Sequence, residues 1–348
     1  MSNKKTIFTS ILVFLLFFML FPLKLEENIH YSTDQALALN HNDSPDFDNR
    51  IPYIFNNTAG YFSKDLKNSW QLKIKDGISI LNDGYINYSR EDELLNYRDI
   101  TDNIKFSIED DGYPFSIEER LFIISRNRKS ISEVIYGEKA WHTDFNYTIT
   151  SVGANKDKIV LGFVKGNFLV LDKKGNRIFN YEPGGSRIPI IYSVNISDNS
   201  QYLGVISGLD PQRFILYENR DDSYKPVYVL NLDDQMKHSS KIFFTSKNTS
   251  IFIERDSGFY TIDPKNRSSV FIEAPYKLKN VEYIPRFDLY MVHSGALNYN
   301  NISLYSTDYK VLLDKNFLGD GAYVTALDRS IYILLDGFVV KVDIEEGL

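Results

Sequence analysis

Histidine is the side chain best suited to metal or acid–base work in this chain, and there are five: His30, His41, His142, His238 and His293. None stands at H-x-x-x-H spacing or beside a second ligand type in a zinc pattern, so each is expected to be an isolated surface or turn residue. Acidic clusters occur at Ser89–Glu93, Ile108–Tyr113 and Asn219–Tyr224. They lack the D-x-[DN]-x-[DN]-G ligand order and terminal Glu of a calcium loop and read as solvated turns. Glycosidase chemistry needs two carboxyls at a defined separation, which plentiful Asp and Glu do not specify. The segment Pro183–Pro189 imitates a phosphate cradle, but no helical pattern follows to supply a positive dipole end. Ser207–Gln212 suits a hairpin with Pro211 fixing its geometry. Cysteine is absent, which removes disulfides, thiolate ligands and cysteine nucleophiles. No catalytic, cofactor-binding or metal-binding residue is nominated, and no cofactor is expected.

The elements that would position any site read as strands. From Trp70 onward, runs of five to eight residues rich in Ile, Val, Phe, Tyr and Leu alternate with Gly, Asn, Asp, Ser or Lys turns, a strand-and-hairpin signature. One pattern recurs: Gly166–Asp172 (GNFLVLD) has relatives at Gly258–Asp263 and Gly337–Asp343, and weaker ones at Ile131–Gly137, Arg213–Asn219 and Asn301–Thr307. The roughly forty-residue interval matches one four-stranded propeller blade. Seven units follow, at 77–110, 112–146, 147–183, 188–233, 241–274, 279–316 and from 322 to the end. The expected fold is therefore an all-β, seven-bladed β-propeller over 69–348, with six or eight blades as alternatives. The last unit shows three strands, and Ser69–Asp76 is assigned to complete it, because pairing the first strand with the last blade removes the open edge.

Ahead of this body, Ile7–Leu23 carries no charge and as a helix would be about 26 Å long. Lysine snorkelling at Lys5 and Lys24 closes the gap to a ~30 Å hydrocarbon layer. The run ends in FPLKLEEN without small residues, which favours an uncleaved signal anchor over a cleaved signal peptide. Lys4 and Lys5 precede it and Glu26 and Glu27 follow, so the positive-inside rule keeps residues 1–5 cytoplasmic and the body outside. The expected order is a cytoplasmic N-terminus at 1–5, a transmembrane anchor at 6–25, a polar tether at 26–68 with a short helix around STDQALALN, and then the propeller. A composition rich in Asn, Lys, Ile, Phe and Tyr, with little Ala, points to an AT-rich bacterial genome. Net charge is −7 with scattered basic residues, so nucleic acid is not an expected partner.

Gly166, Phe168, Asp172, Gly175 and Phe179, with Gly137 and Trp141 in GEKAWHTDF, resemble the repeat of pyrroloquinoline-quinone-like (PQQ-like) propellers, a fold-level pattern shared with WD40-like propellers. The resemblance is full in one unit and partial in three or four others. It implies a blade in which Asp172 and Gly175 shape the hairpin between the third and fourth strands. Quinone-dependent dehydrogenases of that family are longer, have regular Trp-bearing repeats and often carry a vicinal Cys pair. This chain has no Cys and only Trp70 and Trp141. Family members of this size serve as scaffolds. The expectation is a single-pass inner-membrane protein whose extracytoplasmic propeller binds a protein partner in the bacterial cell envelope without catalysis. The alternatives are an envelope hydrolase, lyase or degenerate quinoprotein with acidic residues in the channel, and a purely structural subunit.

Overall fold

The computed structural model describes residues 30–39, 49–335 and 337–345. These residues form eight antiparallel sheets arranged as propeller blades. The first blade contains β2 (Arg50–Phe55), β3 (Thr58–Ser63) and β4 (Ser69–Lys73). The second has β5 (Gly77–Leu81), β6 (Gly84–Tyr88), β7 (Leu94–Arg98) and β8 (Ile104–Glu109), and the third β9 (Tyr113–Ile117), β10 (Arg120–Ile124), β11 (Ser130–Ile135) and β12 (Glu138–Asp144). The fourth holds β13 (Ile149–Ala154), β14 (Lys158–Phe163), β15 (Phe168–Asp172) and β16 (Arg177–Tyr181), and the fifth β17 (Ile188–Ile196), β18 (Tyr202–Leu209), β19 (Gln212–Arg220) and β20 (Ser223–Leu232). The sixth consists of β21 (Ile242–Phe244), β22 (Ile251–Arg255), β23 (Gly258–Asp263) and β24 (Ser268–Glu273), and the seventh of β25 (Leu278–Ile284), β26 (Leu289–Ala296), β27 (Tyr299–Ser306) and β28 (Val311–Leu318). The eighth joins β29 (Tyr323–Leu327), β30 (Ser330–Leu335) and β31 (Phe338–Glu345) to β1 (His30–Ala38) from the start of the chain.

All seven units read from the sequence are blades, but the count of seven is corrected to eight. The additional blade lies where a polar tether was expected. Arg50–Ser63 pairs through a tight Asn56–Asn57 turn, and its apolar residues are buried: Ile51, Tyr53, Phe55, Tyr61 and Phe62 are all in the core. The Asn and Asp residues flanking this hairpin give it the composition of a linker. The closing strand is corrected for the same reason. Ser69–Lys73 is already paired with β3, so β1 pairs antiparallel with β31 instead, from His30 opposite Glu345 to Ala38 opposite Phe338. The helix expected around STDQALALN is a strand over its described part, as the outer member of a blade tolerates polar residues on its solvent face. The expected anchor, Ile7–Leu23, lies outside the described residues, and among the described residues no helix is long and apolar enough to cross a membrane.

Strands β2, β5, β9, β13, β17, β21, β25 and β29 lead their blades, and neighbouring ones touch, as β29 with β2, β2 with β5, β5 with β9, β13 with β17 and β25 with β29. They are therefore the inner ring, and the fourth strands form the perimeter. Apolar layers between neighbouring blades hold the ring together, such as Phe122, Ile131, Ile149, Leu161 and Leu169 between the third and fourth blades. Glycine matters at two places in the repeat. Gly166 has φ +98°, and a Cβ there would lie 1.8 Å from the Pro189 carbonyl oxygen. Gly175, at φ +79°, packs on Trp141 of the preceding blade. Asp172 completes that turn by accepting from the Lys174 and Asn176 amides, both at 2.8 Å, as its resemblance to the repeat implied.

Candidate functional site

Several polar side chains of the inner strands hold one blade to the next. Ser116 Oγ donates to Ile80 O (2.8 Å), Thr150 Oγ1 to Ile191 O (2.6 Å), Asn195 Nδ2 to Ile242 O (2.8 Å) and Asn280 Nδ2 to Val324 O (3.0 Å). Each bond joins inner strands of consecutive blades. Glu282 is the acidic member of this set: its carboxylate accepts from Asn280 Nδ2, Thr325 Oγ1 and the Ala326 amide. Burial pushes its pKa above the usual carboxylate range, and these three donors oppose the shift. The Tyr323 hydroxyl, pushed up to about 12 by burial and then by the Glu282 charge, donates to Pro52 O of the first blade (3.1 Å). These bonds would have to be broken before the groups could act on a bound molecule.

The histidines fall where their blades put them and are not brought together. His30 lies in β1, and His41 is outside the described residues. His238, in the 233–241 connection, contacts Ser239 O at 3.0 Å. His293 is 2% exposed on β26, with Nε2 3.3 Å from Asn300 Oδ1. Burial lowers its pKa to about 4, helped by Lys279 and Lys241. His142 makes the most suggestive contacts: Nδ1 lies 2.8 Å from Ser132 Oγ and Nε2 3.3 Å from Asp144 Oδ2. The three share the composition of a hydrolytic triad. Yet Ser132 and His142 are direct cross-strand partners, and the Asp144 side chain is 82% exposed, where water competes for the orienting bond. This contact satisfies a buried hydroxyl.

The acidic clusters are turns and connections, as expected. Asp92 accepts from the Ser89 amide (2.8 Å), Asp110 from the Gly112 amide (2.7 Å), and Asp222 pairs with Lys158 of the preceding blade. Among the described residues, no three His, Asp or Glu side chains are grouped to hold a metal ion. Pro183–Pro189 spans the crossing from the fourth blade to the fifth, with Gly184 and Gly185 at positive φ.

The feature that sequence reading missed is a groove of about 600 Å³ beside the outer strand of the fourth blade. One wall is the connection Asp144–Tyr147, the floor includes Phe163, Asn167 and Leu169, and the other wall is the whole of β16. The groove is held open by its own bonds. The Val164 amide donates to Thr148 O (3.0 Å), tying the β14–β15 turn to the connection, and Phe145 packs on Phe163 with centroids 5.0 Å apart. Two cations lie on aromatic faces: Lys165 Nζ is 5.0 Å from the Tyr147 centroid and Arg177 Cζ 5.4 Å from that of Phe145. Behind β16, Phe179 and Tyr181 stack at 6.0 Å and 17°, with Tyr224 and Tyr217 against them. Such rings offer rigid contact area at little entropic cost. The signal in the sequence was aromatic–basic alternation in FNY, VKGN and RIFNY, three segments that become neighbours only in the folded blade.

A family model described as "beta-propeller protein" matches residues 1–348. The chain belongs to the β-propeller protein family. This propeller is of the repeat type, and its fold is shared with structures of low sequence identity. BamB from Moraxella catarrhalis superposes with a TM-score of 0.62 at 14% identity, over 90% of this chain and 100% of that one. The Dos1 propeller gives 0.59 at 8% identity, over 90% and 95%. A chain in the mitotic checkpoint complex gives 0.52 at 11%, over 92% and 94%. An uncharacterized protein of Treponema pallidum (strain Nichols) is 21% identical over 238 residues, which is 68% of this chain and 63% of that relative, less than two thirds of its length.

Proposed function

We propose that this propeller is a non-catalytic protein-interaction module of the bacterial envelope, anchored in the cytoplasmic membrane by Ile7–Leu23 and docking its partner in the groove beside β16. The observation that carries the reading is the groove itself: exposed, preformed, walled by aromatic rings and two cations, and bordered by an unpaired strand edge. Commitment of Ser116, Thr150, Asn195 and Asn280 to interblade bonds supports a binding role over an enzymatic one. A fold neighbour solved within the mitotic checkpoint complex supports protein partnership as work this architecture can do.

The test is site-specific photocrosslinking in intact membranes. A benzophenone amino acid at Asn180, which is exposed and lines the groove, is expected to give a discrete higher-mass adduct. The same group at Val311, 55% exposed on the outer strand of the seventh blade, is the control. Adducts of equal yield at both positions, or at Val311 alone, would refute the groove as the docking site.

A further inference from the structure

We infer that the face at which the chain enters the propeller carries a cradle for the headgroup of an anionic phospholipid, formed by Arg286 and Arg329 between the seventh and eighth blades. This rests on the proposed anchor, which would bring that face to a bilayer, and is independent of the groove. The closing strand gives the position. Tyr31 opposes Ile344, and the Ile344 amide donates to Arg329 O (2.9 Å), so the chain enters beside the β29–β30 turn. Residues 24–29 separate His30 from the proposed anchor and span at most about 20 Å when extended. A bilayer entered by Ile7–Leu23 is then within reach of that turn.

Between the β25–β26 and β29–β30 turns lies a cleft of about 660 Å³, whose lining sets the apolar Pro285, Ala326 and Leu327 beside Arg286, Arg329 and a single carboxylate, Asp328. Among the described residues neither guanidinium is within ion-pair distance of a carboxylate, and Arg286 rests on Phe287, with Cζ 5.8 Å from the ring centroid. The neighbouring acids are engaged elsewhere: Asp288 by the Tyr283 hydroxyl and Lys247 Nζ (3.8 Å), Asp343 by Ser330 Oγ (2.5 Å) and Lys341 Nζ (3.4 Å). Guanidinium forks bind phosphate oxygens in pairs. The apolar wall suits the glycerol and first methylenes behind a lipid phosphate, from which a free phosphate ion would gain nothing. Charge around the ring places the contact in the same half. The first-to-second strand turns of blades six to eight carry Lys247, Arg286 and Arg329 against Asp288 and Asp328, and the β3–β4 turn, tied to the eighth blade by Tyr332 Oη donating to Lys64 O (2.9 Å), adds Lys64 and Lys67 against Asp65. The corresponding first-to-second turns of blades two to five carry Asp83, Glu118, Glu119, Asp157 and Asp198, with Lys156 as their one cation. The half of the face nearest the point of entry is therefore the basic one, which an anionic bilayer surface attracts.

The inference is tested with the full chain in dodecyl maltoside, captured on scintillant beads and titrated with tritiated phosphatidylglycerol. Unlabelled phosphatidylglycerol is expected to displace the label, and phosphatidylcholine to do so far less well. R286Q/R329Q should bind about tenfold more weakly, with circular dichroism and thermal midpoint unchanged. K173Q/K174Q, which removes the same charge from the exposed β15–β16 turn across the ring, should bind as wild type does. Equal binding by wild type and R286Q/R329Q, or equal weakening in both variants, would overturn the cradle. Inorganic phosphate displacing the label as well as phosphatidylglycerol does would overturn the lipid as its occupant. Carbonate extraction reads the anchor separately. Release of the full chain from membranes would overturn the anchor and with it the bilayer as the source of the headgroup, whereas loss of selectivity for phosphatidylglycerol in protein that carbonate leaves in the membrane would overturn the cradle alone.

Discussion

At the scale of single residues, two ionisable groups that burial has shifted, His293 and Glu282, make stability depend on pH. His293 is the clearest case, because its pKa falls from 6.5 to about 4 on folding. Between those values the unfolded chain binds the proton and the folded one does not, so stability rises with pH across the window and is lost as pH falls toward 4. A difference of this size corresponds to about 3 kcal/mol over the whole window. Glu282 acts in the opposite sense. Its raised pKa lets the folded form keep a proton that the unfolded form has released, so its contribution falls as pH rises above the ordinary carboxylate value. Comparing wild type with His293→Gln isolates the first effect. Urea unfolding at pH 4 to 7 is expected to show a distinctly shallower slope in the variant, and parallel profiles would show that His293 does not titrate as its burial implies.

At the scale of elements, the ring depends on one long-range pairing. β1 reaches across almost the whole chain to complete the eighth blade, and without it β31 would present an open edge. The directly opposed pair Ala36 and Val340 offers a way to lock this closure, because the chain has no other cysteine to confuse the pairing. In A36C/V340C, a disulfide would close a loop of roughly 300 residues and is expected to add about 4 kcal/mol where its geometry is unstrained. The measurement is the urea midpoint with and without reductant; failure to form the bond, or an unchanged midpoint, would argue against β1 as the closing strand. Legibility of the sequence also divides at this scale. Blades two to eight were readable because their strands are bounded by regular turns, with GNFLVLD followed by DKKGN as the model. The first blade and β1 were not, since HYSTDQALA alternates weakly and NNTAG resembles linker composition. Their strand identity is imposed by neighbours: β3 by β2 and β4, and β1 by the apolar edge of β31. The groove was illegible for a related reason, as its walls come from three turns and strands whose proximity is a product of the blade.

At the scale of the whole molecule, the direction of β1 fixes how the ring would sit on a membrane. His30 opposes Glu345 at the end of β31, and Leu39 lies at the β30–β31 turn, so the chain enters at the face that carries the first-to-second and third-to-fourth strand turns. Residues 24–29 would reach at most about 20 Å when extended. If the proposed anchor at Ile7–Leu23 spans a membrane, it would hold that face close to the bilayer, and the groove, which is built from a second-to-third turn and an interblade connection, would open on the opposite side. Two residues test this with matched exposure. Tyr136, 90% exposed, tips a third-to-fourth hairpin on the entry face, and Leu297, 91% exposed, tips a second-to-third hairpin on the far face. Single cysteines at the two positions should react at similar rates with a 5 kDa (about) polyethylene-glycol maleimide in detergent. In right-side-out spheroplasts, the cysteine at 297 is expected to keep its rate and the cysteine at 136 to be slowed severalfold by the adjacent bilayer. Equal rates in spheroplasts would refute the orientation, and labelling of neither before lysis would refute the extracytoplasmic location, because the reagent does not cross the membrane.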